Sequence, residues 1–239
     1  MSDRRTGENR LLAALPDEER RRVLPHFQRV RLPSGQALLE PGERVRQVYF
    51  PADGVVSLLM VMEDGTSVEV CTVGNEGFVS VESILSSGES PYEVRCQTDV
   101  EALCADVEGL RAAFRQSEPL RDLLLRYASV VFSCTGRSLA CRVTHRVEQR
   151  LARWLLMTRD RMTSDELPLT QELLAKMLGV HRPTVSEAAD RLRERGLIDY
   201  RRGRITIVDR AGLEGAACAD YRGFREDYER LLGPSPPMT

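Results

Sequence analysis

LTQELLAKMLGVHRPTVSEAADR, residues 169–191, is the stretch that decides the fold. It reads as two short helices joined by a tight turn. Leu174, Leu178, Val180, Val185 and Ala188 fall at spacings that bury one face of each helix, and Ala175 is small where the helices would cross. Gly179 sits at the turn, where a residue without Cβ adopts a left-handed backbone at little cost. Thr170 is placed to cap the first helix with its hydroxyl. This is the pattern of a helix-turn-helix, whose second helix lies in a DNA major groove. The outward face of that helix would carry His181, Arg182, Thr184, Ser186, Glu187 and Arg191, with Thr170 and Gln171 at the mouth of the first helix.

The residues that follow extend the motif. Gly196 ends the second helix, and Asp199-Tyr200-Arg201-Arg202-Gly203-Arg204-Ile205-Thr206-Ile207 alternates around a Gly set among arginines. That is a β-hairpin, or wing, with Arg201, Arg202 and Arg204 at its tip, where phosphates would lie. A guanidinium can chelate guanine O6 and N7, so Arg182 is the candidate for direct base readout. Glu187 could accept from a cytosine amine, and Thr184 and Ser186 could reach phosphates or a thymine methyl.

Charge is divided along the chain. The 239 residues carry a net charge of −2, yet residues 1–109 hold 11 arginines against 19 carboxylates, whereas residues 110–239 hold 22 arginines and one lysine against 17. A basic C-terminal half suits a polyanionic partner and an acidic N-terminal half does not. No apolar run approaches the roughly 20 residues that span a bilayer, and the polar start MSDRRTGENR has no secretory character, so a cytoplasmic protein without a membrane partner is expected. The six cysteines form no Cys-x-x-Cys pair, which predicts no structural disulfide framework and no metal site. No nucleophile–base pairing or P-loop marks the chain as an enzyme.

Upstream, from Phe27 to Asp106, short β-prone runs meet Gly and Pro turns: Gln28–Leu32, Val48–Phe50, Val55–Met62, Ser67–Val73 after the Asp64-Gly65 hairpin, and two more strands within Val94–Asp106. They predict a β-barrel or jelly roll, preceded by two short helices at Glu8–Ala14 and Pro16–Val23. The fold class is therefore α+β. Its parts are a β-roll with flanking helices over residues 1–118, a long helix over 119–142 and a winged helix-turn-helix over 143–239.

A β-roll, a long helix and a winged helix in that order resemble the Crp/Fnr family of bacterial transcription regulators. The likeness is most specific in Thr170–Val208 and in Gly42–Gly54. The resemblance implies a homodimer that binds two-fold-related DNA half-sites, works with RNA polymerase and responds to a small-molecule effector held in the roll. The corresponding pocket would draw on Gly74, Glu76, Gly77, Arg95, Tyr127 and Thr135. The family's cyclic-nucleotide binders carry an Arg-Ser/Thr-Ala at the end of the phosphate loop, and here the chain reads Ser90-Pro91-Tyr92-Glu93-Val94. A buried phosphate without its cation is costly, so tight binding of cyclic AMP is not expected unless Arg95 substitutes. The N-terminal cysteine cluster of iron–sulfur members is missing. The histidines, His26, His145 and His181, lie outside the strands where haem ligands would stand.

Between the roll and the winged helix, Pro119 opens a helix in which Leu120, Tyr127, Cys134 and Cys141 recur every seven residues, with Leu123 or Leu124 and Val130 or Val131 between them. This predicts a parallel dimer seam of Leu120, Leu124, Tyr127, Val131, Cys134 and Cys141, its cysteines serving as small hydrophobes. A second helix is expected from Val143 to about Met162, and Leu213 to Leu232 reads as helical. A second function stays open at this stage: a ligand-binding regulatory module whose winged helix docks protein rather than DNA.

Overall fold

A computed structural model describes residues 8–86, 88–164 and 166–233. Two short helices, α1 (Arg10–Ala13) and α2 (Asp17–Val23), lead into seven strands. These are β1 (Gln28–Leu32), β2 (Ala37–Leu39), β3 (Gln47–Asp53), β4 (Val56–Val61), β5 (Ser67–Val73), β6 (Glu93–Cys96) and β7 (Val100–Asp106), with a helical turn α3 (Glu82–Leu85) between β5 and β6. They form two antiparallel sheets, ordered β1-β7-β3 and β2-β6-β4-β5. Alternation along the strands turns Val48 and Phe50 of β3, Val94 and Cys96 of β6, and Val100 and Ala102 of β7 into a shared core. Phe27, Phe50, Phe78 and Tyr127 run through that core as a chain of rings 5.1–5.3 Å apart. Buried Asn9 fastens the N-terminal helices to it. Its amide donates to Pro51 O and Gly77 O, both at 2.7 Å, while its Oδ1 caps α1.

Helix α4 (Val107–Gln116), capped by Asp106, leads to the long helix α5 (Glu118–Thr144). Ser117 caps α5 by accepting from Leu120 N, with Pro119 in the first turn. The predicted helix from Val143 to Met162 is interrupted. Val143 belongs to α5, His145 is extended, and α6 (Val147–Arg159) begins only after Arg146. The second predicted span, Leu213–Leu232, is also two helices, α9 (Arg210–Ala216) and α10 (Asp220–Leu232), with an extended Ala217 between them. Apolar periodicity runs through both breaks unchanged, which is why it could not reveal them; Asp209 accepting from Gly212 N places the start of α9.

The motif of residues 169–191 forms α7 (Gln171–Leu178) and α8 (Arg182–Glu194). Thr170 Oγ1 accepts from Leu173 N at 3.2 Å, and Gly179 closes α7 in the left-handed region at φ +62° while Val180 N reaches back to Ala175 O. The wing has three strands where two were foreseen. β8 (Glu166–Leu167) pairs with β10 (Arg204–Ile207), which pairs with β9 (Ile198–Arg201).

Helix α10 folds back along α5. Phe224 and Tyr228 are buried there, and Asp227 accepts from Ser133 Oγ at 3.0 Å and Arg137 Nε at 3.1 Å. This corrects the predicted seam. Leu120 and Leu124 are buried in the roll's core, Tyr127 lies against Phe78, Cys134 touches Tyr228 and Cys141 touches Cys218; Val131 is partly buried in the same core. The roll and α10 cover that face within one chain. The apolar stripe left exposed is a different one: Leu125 (42 %), Phe132 (84 %), Leu139 (65 %) and Val143 (80 %). Among the described residues no helix is long and apolar enough to cross a membrane.

Candidate nucleic-acid interface and effector pocket

The HTH unit presents one polar face. Val185, Ala188, Ala189 and Leu192 of α8 are buried against α6 and α7, which leaves His181, Arg182, Glu187 and Arg191 exposed. Thr184 is half-buried. Ser186 donates to Gln171 Oε1 at 2.8 Å, so this predicted pair is engaged with itself at the crossing of the two helices. His181 occupies the N-cap of α8 without making a side-chain cap; Pro183 in the first turn has no N–H, and Thr184 N donates to His181 O at 3.0 Å.

The arginines fall into two groups. Arg191 and Arg195 lie on Glu148, Arg201 on Asp199 at 2.9 Å and Arg204 on Glu166 at 2.9 Å. Such exposed pairs contribute about 0–1 kcal/mol each, so a phosphate can displace the carboxylate. Arg182 and Arg202 have no side-chain partner among the described residues. Arg202 and Gly203 make the wing turn at φ +49° and +76°, a backbone region that favours Gly or Asn.

The predicted effector residues assemble only in part. Gly74, Glu76, Gly77 and Tyr127 meet in the roll; Arg95 and Thr135 do not join them. Arg95 lies on β6 with Val94 and Cys96 turned into the core, so its own side chain points outward, where it pairs with Glu93 and donates to Gly35 O at 2.8 Å. Thr135 returns its hydroxyl to Val131 O on its own helix.

What occupies the pocket is Arg161, from the turn after α6, a residue that no local pattern had marked. Its guanidinium lies 2.7 Å from Glu76 Oε1 and donates to Thr72 Oγ1 at 2.8 Å, with side chains 6 % and 5 % exposed for Arg161 and Glu76. Burial opposes the arginine's charge, but the field of Glu76 outweighs it and holds the pKa above the ordinary value. Both glycines are explained by space. A Cβ on Gly74 would lie 2.4 Å from the Arg161 side chain, and one on Gly77 would lie 2.0 Å from Tyr127 Oη. The space remaining beside Arg161, lined also by Cys71, Thr72, Cys134 and Tyr228, is a cavity of about 20 Å³, room for a water molecule. Burial raises the thiols of this region, Cys134 to about 12, which leaves them protonated and unreactive.

Arg161 is one of several ties between the roll and the DNA-reading unit. Trp154 Nε1 donates to Glu69 Oε1 at 2.9 Å; Arg142 spans Glu69 O at 3.1 Å and Leu178 O at 3.3 Å; Thr163 N donates to Asp53 Oδ1 at 2.7 Å. Leu59 of β4 is buried in the winged-helix core. The first HTH helix thus rests on the roll while the second faces away from it.

A Crp-like helix-turn-helix domain matches residues 149–216, and a cyclic nucleotide-binding domain matches residues 29–117. The global nitrogen regulator of Nostoc sp. is 28 % identical over 177 residues, 70 % of this chain and 79 % of the relative. A CRP-like cAMP-activated global transcriptional regulator of Mycobacterium tuberculosis is 26 % identical over 190 residues, 77 % and 85 %. The structure of FixK2 from Bradyrhizobium japonicum shares the fold, with a TM-score of 0.66 at 16 % identity over 81 % of this chain and 98 % of that one.

Proposed function

The chain belongs to the Crp/Fnr family of DNA-binding transcription regulators, and we propose that it reads a two-fold-related operator as a homodimer. Each subunit lays α8 in a major groove with Arg182 on a base edge, while Arg202 at the wing tip meets phosphate. The observation that carries this reading is the asymmetry of the arginines of α8 and the wing: Arg191, Arg193, Arg201 and Arg204 are paired with carboxylates, whereas Arg182 and Arg202 lack side-chain partners among the described residues. The dimer forms along the exposed stripe of Leu125, Phe132, Leu139 and Val143, because a seam this apolar needs a cover and the roll and α10 are already engaged on the other side of α5.

Cyclic AMP is not the effector in this reading. The cation that a cyclic phosphate requires is absent from the loop, Arg95 points away, and Arg161 fills the place beside Glu76 from within the chain. The protein acts through another small molecule or without one, and RNA polymerase is its partner at the promoter. Selection of binding sites from random DNA tests the DNA reading. Two half-sites about one helical turn apart should emerge, and Arg182→Ala should lose about 1–3 kcal/mol at one base pair while retaining non-specific binding. Equal affinity of the wild type for selected and random DNA would sink the proposal.

A further inference from the structure

The hinge between α5 and α6 gathers four metal-ligating groups from two distant segments. Cys141 in the last turn of α5 and His145 at its C-cap stand one turn apart, while Cys218 lies in the turn between α9 and α10 and Asp220 opens α10. Their donor atoms all lie within 4.8 Å of one another. Cys141 Sγ and Cys218 Sγ are 3.2 Å apart, and His145 Nδ1 is 3.6 Å from Asp220 Oδ2. Bonds of the usual zinc lengths would give a tetrahedron with edges of about 3.3–3.8 Å, so sub-ångström to ångström shifts of the side chains suffice. Asp220 Oδ2 is buried without a hydrogen-bond partner among the described residues, 3.6 Å from the His145 imidazole, so its lone pairs are free to ligate an ion there. Thr144 Oγ1 competes for the imidazole, 3.0 Å from His145 Nδ1. Thr144 already donates to Ala140 O at 2.8 Å, so the imidazole can move its proton to Nε2 and free Nδ1.

We propose that Cys141, His145, Cys218 and Asp220 form a structural site for a borderline-soft divalent metal, zinc above all, that fastens the end of α5 to the α9–α10 turn. Two thiolates and one imidazole select against calcium and magnesium, and the four-ligand set leaves no open position for catalysis. Binding releases both thiol protons to solvent. The ion with two thiolates and a carboxylate carries one net negative charge, and Arg150 and Arg153 lie near enough to act on both sulfurs and offset it. The site bridges the helix that carries the exposed apolar stripe and the domain that carries α8, so an ion there restrains the angle at which α8 is presented. That regulatory consequence rests on the DNA-binding reading; metal binding itself does not.

The full-length chain, reduced and stripped of metal, is titrated with cobalt(II) and then with zinc. One equivalent of cobalt should give thiolate charge-transfer absorption and the intense visible bands of a tetrahedral ion, both bleached by zinc. Zinc should also raise the melting temperature. Cys141→Ser and Cys218→Ser should each lose the charge-transfer intensity of one thiolate or fail to bind, Asp220→Asn should bind more weakly, and Cys104→Ser on the roll should match the wild type. A folded, reduced wild type without the cobalt spectrum overturns the site, whether or not oxidation joins Cys141 to Cys218. A spectrum that survives in the Cys141→Ser/Cys218→Ser double variant overturns it too. Operator affinity is then compared with and without zinc. A change of roughly 5–150-fold, the usual range of coupling between sites, supports the regulatory consequence. Equal affinity in the two states removes that consequence and leaves the metal site standing.

Discussion

Replacing Arg161 by Met should uncouple the roll from the DNA-reading unit at a cost that the geometry sets. The methionine keeps the apolar stem and deletes the guanidinium, so the contacts to Glu76 Oε1 and Thr72 are lost together. Glu76 is then a buried carboxylate whose remaining donor among the described residues is Gly74 N, at 3.2 Å. Breaking one side of a buried ion pair costs about 3–5 kcal/mol, because the surviving charge stays desolvated. For a chain of this size, about 2–4 °C of melting temperature follows each kcal/mol, so the transition should fall by about 6–20 °C. Glu76→Gln should lose a similar amount by stranding the arginine. The double variant Arg161→Met/Glu76→Met should recover most of it, since an apolar pair of similar volume carries no desolvation penalty. The assay is urea unfolding followed both by circular dichroism and by the fluorescence of Trp154. That residue is the chain's single tryptophan, and its indole already binds Glu69 across the same interface. A loss below about 1 kcal/mol for Arg161→Met would refute the reasoning, and so would a double variant as unstable as the sum of the singles.

Three further outcomes are expected. Burial holds the Glu69 carboxyl above its ordinary range against hydrogen bonds from Ser57 and Trp154. Such a group costs stability as pH climbs from the unfolded-state pKa through its own. Glu69→Gln should therefore raise the melting temperature at neutral pH, with the gain fading toward about pH 4, where both states bind the proton; a gain that does not vary with pH counts against this. Phe132→Glu should shift the protein from dimer to monomer in sedimentation while the monomer keeps its fold, since Phe132 is exposed within one chain; an intact dimer would place the seam elsewhere. Arg202→Asn should stabilise the fold by about 1 kcal/mol by relieving the left-handed arginine, while DNA affinity falls alike on all sequences and the salt slope drops by about one; loss at a single base pair would assign Arg202 to readout instead.

The helix-turn-helix, the wing and the strands of the roll are legible from the amino-acid order because their determinants are local: a hydroxyl at Thr170, a left-handed Gly179, alternation in Ile205 and Ile207, turns at Asp64-Gly65. The exposed recognition face follows from the same periodicity. The choice between the two apolar faces of α5 does not. Leu120, Tyr127, Cys134 and Cys141 recur every seven residues, and so do Leu125, Phe132 and Leu139. Which row stays open was decided only when the roll and α10 covered the other. Arg161 and Glu76 are 85 residues apart, and Cys141 and Cys218 are 77 apart. A lone arginine after a helix and a lone cysteine in a turn have no local signature, because the free energy of a buried charge or a shared ligand site depends on neighbours that only the closed tertiary structure brings within a few ångströms.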